Sequence, residues 1–168
     1  MSERRIVIVG FMACGKTTVA QALARQLNCQ FIDLDSFITA RHGRSPAEII
    51  QQDGEATFRE LETLALRDVL QNRDARVIAL GGGTWTIAAN RELIALHECE
   101  TVWLDVPFEL CWSRITASES TRPLAIDYES ASSRYRSRRA DYELAAQTIL
   151  VTDADSPETI AQQIVPFK

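Results

Sequence analysis

The sequence predicts a three-layer α/β fold built on a five-stranded parallel sheet, and three observations carry that prediction. Short apolar runs alternate with helix-length segments over most of the chain, the rhythm of repeated strand–helix units. The runs are largely continuous in apolar character instead of alternating with polar residues, as strands buried on both faces of a parallel sheet must be. The first run also leads straight through a glycine-bearing turn into a helical segment. At 168 residues, without internal repeat, low-complexity segment or linker, the whole of 1–168 reads as one domain.

Taken in order, the apolar runs Ile6–Val9, Phe31–Leu34, Val77–Leu80, Thr101–Leu104 and Thr148–Val151 are the five strands. Between and after them lie helices at about 16–28, 46–52, 55–71, 90–97, 107–116, 128–145 and 157–165. Two of these carry explicit start signals. Ser45-Pro46-Ala47-Glu48 combines an N-cap, a proline at the first helical position and a capping-box glutamate, and Ser156-Pro157 repeats the cap and the proline. In the helix near 55–71, Phe58, Leu61 and Ala65 mark the buried face and Arg59 lies off it. Folds of this kind bind ligands beyond the carboxyl ends of the strands. The loops at 10–16, 33–36, 81–84 and 105–107 are therefore where function is expected.

Composition narrows the function classes. A net charge of −5 disfavours broad binding to nucleic acid or an anionic membrane, since both require a basic surface. The N-terminal MSERRIVIVG is too short for a secretory signal, and no apolar stretch reaches the length of a membrane span. The four cysteines, at 14, 29, 99 and 111, show no CxxC pair or Cys/His cluster and read as thiols of a reduced compartment. The expectation is a soluble cytoplasmic monomer.

Gly10-Phe11-Met12-Ala13-Cys14-Gly15-Lys16-Thr17 matches G-x-x-x-x-G-K-[ST] without a mismatch. Its glycines let backbone N–H groups turn inward around an anion, and the helix that follows adds its N-terminal dipole. Lys16 would reach the outer phosphates and Thr17 would place a hydroxyl on Mg²⁺. By composition alone such a match arises in roughly one chain in 200 of this length. Here it also sits between a strand and a helix, as the mechanism requires.

Other loops add polar chemistry. Asp33-Leu34-Asp35 closes the second strand, and strand alternation would aim both carboxylates at the ligand edge. One could serve the magnesium shell and the other accept the proton of an attacking hydroxyl; an Asp N-cap on a following helix is the plain alternative. Gly81-Gly82-Gly83 offers bare backbone after the third strand. Arg59 could hold a carboxylate or simply pair with Glu55, Glu60 or Glu62. Arg138 and Arg139 form a second basic group whose forks could converge on the same acid. The polar stretch at about 116–127 has the length of a mobile lid, and Arg122 within it could swing in to neutralise charge on a transferring group.

In their order along the chain, GFMACGKTT, FIDLDSFI, GEATFRELE, VIALGGG, TRPL and RRADYELA resemble the shikimate kinase family. The resemblance implies a P-loop kinase of the nucleoside-monophosphate-kinase type, with strand order 2-3-1-4-5 and a mobile lid. It implies transfer of the γ-phosphoryl of ATP to the 3-hydroxyl of shikimate, in chorismate and aromatic amino-acid biosynthesis. Gly10, Ala13, Cys14, Gly15, Lys16, Thr17 and Thr18 would hold the ATP phosphates, with Arg114 and Pro157 about the adenine and Arg122 closing from the lid. Thr17 would ligate Mg²⁺ directly and Asp33 through water. Asp35 would hold the shikimate hydroxyls as candidate base, in an acceptor segment at about 33–62. Arg59 and Arg138 would clamp the carboxylate beside Gly81, Gly82 and Gly83. Four features depart from the family pattern: Ala13 in place of a glycine, Trp85 after the glycines, Ala125 after Arg-Pro-Leu, and no proline in Arg138-Arg139-Ala140-Asp141-Tyr142, so Arg138 is preferred to Arg139 by its spacing from Tyr142. A gluconate kinase is the rival enzyme and a catalytically silent nucleotide-binding module the rival of another class.

Overall fold

Strand β1 (Ile6–Val9) is the centre of the molecule because nothing in it tolerates water: all four of its residues are at most 1% exposed. In the computed structural model, which describes residues 4–118 and 127–164, helix α1 (Lys16–Gln26) follows the first loop. Then come β2 (Phe31–Asp33), α2 (Leu34–His42), α3 (Pro46–Asp53), α4 (Glu55–Asn72) and β3 (Val77–Ala79). A 3₁₀ turn at Thr84–Thr86 leads to α5 (Ala88–Leu96), β4 (Glu100–Asp105), α6 (Phe108–Ala117), α7 (Tyr128–Tyr142), β5 (Gln147–Leu150) and α8 (Pro157–Gln163). The strands form one all-parallel sheet in the order β2-β3-β1-β4-β5. This is the three-layer α/β fold and the strand order that the sequence led us to expect.

Parallel neighbours demand crossover helices, and the sequence supplies them with working start signals. Ser45 accepts from the Glu48 backbone N–H (3.2 Å) while the Glu48 carboxylate accepts from the Ser45 N–H (2.6 Å). Ser156 and Thr159 make the corresponding reciprocal pair ahead of α8.

One element was not foreseen. Helix α2 begins at Leu34, where the second strand was expected to continue. Only Leu34 and Ile38 of its nine residues are buried, too few to mark a helical stripe in sequence. The decisive feature is Asp33, extended at φ −93° and ψ 120°, whose carboxylate accepts from the Ser36 N–H at 2.8 Å. An N-cap can turn a strand into a helix without an intervening loop. Asp35 is thus a first-turn helical residue, and strand alternation does not set its direction. Helices α5 and α7 begin or end within a few residues of expectation, α5 starting early at Ala88 without a side-chain cap to announce it.

None of the four cysteines, all among the described residues, is in a disulfide. Among the described residues no helix is long and apolar enough to cross a membrane. Most of the expected lid, including Arg122, lies outside the described residues.

Candidate active site

The loop from Gly10 to Thr17 leaves the carboxyl end of β1 and closes on itself through Cys14 N–H to Phe11 O (3.2 Å). Gly10, at φ +153°, has no room for a side chain: a Cβ there would lie 2.8 Å from Cys14 Sγ and 3.1 Å from Leu104 O. Gly15 occupies the N-cap of α1 at φ +94° and offers no side chain to the first helical N–H groups. Those donors therefore face the cleft with the helix dipole behind them, ready for an anion. Lys16 Nζ donates to Gly10 O and Phe11 O, both at 2.9 Å, and so bridges the loop it belongs to.

Ala13 stands in the left-handed region at φ +59°, a conformation that costs a non-glycine residue roughly 1–2 kcal/mol. Its carbonyl accepts from Arg114 Nη1 at 3.3 Å, which anchors the loop to α6. The loop keeps its shape here with an alanine where a glycine was the expectation.

Two carboxylates flank the loop. Asp33 uses one oxygen to cap α2, as above, and takes the Thr17 hydroxyl on the other. The capping and the cleft roles are therefore compatible: one carboxylate has two faces. Thr17 and Asp33 present adjacent hard oxygen donors, the set that suits Mg²⁺. Asp35 is different. Burial, then the negative charges of Asp33 and Glu62, push its pKa up to about 6, against the opposing pull of Lys16 and Arg59. A Cβ on Gly81 would lie 3.0 Å from Asp35 Oδ1 and 3.1 Å from Glu62 Oε2, so a side chain there would force these carboxylates to shift.

These groups share one cleft of about 450 Å³, lined by residues 12–19 together with Asp33, Asp35, Leu80, Gly81, Gly82, Arg114, Asp155, Pro157 and Ile160. Beyond the glycine turn sits the basic group. The Arg59 guanidinium packs against Gly83, where an added Cβ would come within 2.7 Å of Arg59 Cζ. It is held by Glu62 at 2.8 Å and Glu55 at 3.4 Å. Glu62 is fully buried and also accepts from the Thr84 hydroxyl at 2.7 Å. The ion pair set against a binding role is present, but it fixes the guanidinium beside the glycines.

Arg138 and Arg139 have separate fates. Arg139 makes a two-pronged pair with Asp105 (2.8 and 3.1 Å) and lies over the Trp103 ring, 4.9 Å from its centroid. Its fork is committed to joining α7 to β4. Arg138 points instead at the glycine turn, with Nη1 3.6 Å from the Cβ position of Gly82. Among the described residues it has no carboxylate in ion-pair range. Burial, joined by the nearby charges of Arg134 and Arg59, holds its pKa below the ordinary arginine value. A cation so placed is short of counter-charge.

The model of the shikimate kinase family matches residues 12–167. A shikimate kinase from Streptococcus suis is 36% identical over 163 residues, covering 95% of this chain and 98% of its own. The chain belongs to the shikimate kinase family. The solved shikimate kinase from Acinetobacter baumannii, in complex with shikimate, superimposes with a TM-score of 0.86 at 34% identity, covering 96% of this chain and 90% of its own. A gluconokinase from Sinorhizobium meliloti shares the fold alone, with a TM-score of 0.62 at 16% identity over 95% of this chain and 88% of its own.

As a family member the chain is an ATP-dependent kinase, a transferase. The fold brings Ala13, Cys14, Gly15, Lys16, Thr17, Thr18, Asp33, Asp35, Gly81, Gly82, Arg114 and Pro157 into a common cleft. Gly10 stands behind the loop, and Arg59, Gly83 and Arg138 form the adjoining cluster. The sequence offered Glu62 only as one of three candidate partners for Arg59; the structure makes the i,i+3 pair and adds that Glu62 is fully buried. Trp85 is buried and its indole donates to Asp141 O at 2.8 Å, so it braces α7 and does not line the cleft.

Proposed function

We propose that this chain catalyses in-line transfer of the γ-phosphoryl of ATP to the 3-hydroxyl of shikimate. The observation that carries the reading is a single one. A phosphate-binding loop and a carboxylate with pKa near 6 share one cleft, and two arginines stand across a side-chain-free turn from it. That arrangement suits a hydroxylated acid whose carboxylate is held far from the nucleophilic oxygen.

The loop N–H groups and Lys16 take the β- and γ-phosphates. Thr17, and Asp33 through water, would hold Mg²⁺, which supplies charge neutralisation on the phosphates. Asp35 orients the acceptor hydroxyl and accepts its proton. Arg59 and Arg138 grip the carboxylate, with Gly81, Gly82 and Gly83 as the floor. Arg114 and Pro157 flank the adenine, and Arg122 enters from the segment at about 116–127. One domain spans 1–168 and acts as a monomer. A coupled ADP-release assay with shikimate, gluconate and nucleoside monophosphates tests the acceptor. Turnover with shikimate alone is expected, and turnover with gluconate but not shikimate overturns the reading.

Arg59→Ala raises the KM for shikimate by the equivalent of roughly 2–4 kcal/mol while leaving the KM for ATP nearly unchanged. It also lowers Tm, because Glu62 is fully buried and loses its cationic partner. Steady-state kinetics alongside thermal melts separate the two effects. A change confined to the KM for ATP would place Arg59 elsewhere.

A further inference from the structure

Tyr142 ends α7 with its side chain buried, 1% exposed, and its hydroxyl donates to Gly82 O at 2.6 Å. The Arg138 guanidinium, one helical turn earlier on α7, faces the same turn, with Nη1 3.6 Å from the Cβ position of Gly82. The Tyr142 ring stacks on Trp103 with centroids 6.0 Å apart, and Trp103 is in turn covered by Arg139. Three further contacts lock the end of α7 to the turn after β3. Trp85 donates to Asp141 O, and Arg91 donates to Trp85 O at 2.8 Å and to Asp141 Oδ1 at 3.3 Å. The Tyr142 hydroxyl thus lies where the glycine turn and the Arg138 guanidinium meet.

Resting on the acceptor assignment above, we propose that Tyr142 is a positioning residue that sets Arg138 and the Gly82–Gly83 peptide in register for the shikimate carboxylate. The chemistry is directional. The phenol has one proton, and it is spent on Gly82 O, so towards the donor-only Arg138 guanidinium its oxygen can only accept. Burial keeps the phenol protonated by holding its pKa above the ordinary range. Among the described residues no peptide is cis, and across a trans peptide the carbonyl of one residue and the N–H of the next point opposite ways. Pinning Gly82 O on Tyr142 therefore turns the Gly83 N–H away from Tyr142. A guanidinium without an acid partner would otherwise sample several rotamers, and each lost rotamer lowers the cost of binding the acid.

Tyr142→Phe keeps the ring on Trp103 and removes only the hydroxyl. The expected result is a KM for shikimate raised roughly tenfold, as for loss of a hydrogen bond to a charged group, with the KM for ATP within about twofold of the wild type. The deciding measurement is the cycle with Arg138→Ala. If Tyr142 acts through Arg138, adding Tyr142→Phe to Arg138→Ala raises the shikimate KM little further. An unchanged shikimate KM in the single variant, or full additivity in the double, overturns the proposal. Shikimate turnover by the wild-type enzyme, measured first, tests the underlying reading by itself.

Discussion

Lys16→Met lowers kcat by about 10²–10³-fold, with a much smaller effect on the KM for shikimate. The reason is where charge moves. As the bond to the γ-phosphoryl loosens, negative charge grows on the leaving phosphates, and an ammonium already beside them strengthens its interaction in the transition state. In this structure Nζ donates to Gly10 O and Phe11 O. The ammonium is therefore held over the loop before any nucleotide arrives, at no cost in side-chain freedom when one does. The same bonds mean that methionine also loosens the loop, so the variant needs a binding control. Fluorescent ADP-analogue titration is expected to show affinity reduced by about tenfold or less. An equal collapse of nucleotide affinity and kcat would make Lys16 a loop strut and no more.

How much of this was legible in the sequence depended on whether the signal was local. The loop at Gly10–Thr17 was legible because its chemistry is local: a strand, two obligatory glycines and a helix start within eight residues of each other. The sheet was legible because burial on both faces leaves a continuous apolar run, as in Ile6–Val9 and Val77–Ala79. Helix α2 was not, since it buries two residues and is started by a single side-chain cap. Asp33 looked ambiguous between cap and cleft because a carboxylate has two oxygens and the structure uses one for each. The split between Arg138 and Arg139 was suggested by spacing, but its cause is tertiary: Asp105, thirty-four positions away, claims one fork and leaves the other. Glu62 and Tyr142 lie within the quoted motifs, but their burial and their contacts with Thr84 and Gly82 are tertiary and leave no mark in the local sequence.

Asp35→Asn separates catalysis from stability in opposite directions. Activity falls by roughly 10²–10⁴-fold, the usual contribution of a positioned general base. In the wild type, kcat/KM for shikimate rises with pH through a value near 6, where the carboxylate of the free enzyme ionises. Stability runs the other way. The folded-state pKa stands above the ordinary 3.8, so the folded protein favours the protonated acid. Ionisation then destabilises it, by an amount that is nil below the unfolded pKa and complete above the folded one. A shift from 3.8 to about 6 corresponds to on the order of 2–3 kcal/mol at neutral pH. Asparagine resembles the protonated acid, so the variant melts several degrees higher than the wild type at pH 8, and the advantage disappears near pH 4. Both come from one cause: burial beside Asp33 and Glu62 raises the free energy of the carboxylate that must take a proton. Melts at the two pH values decide the matter, and a variant no more stable than the wild type at pH 8 would mean that the cleft does not hold Asp35 at a raised pKa.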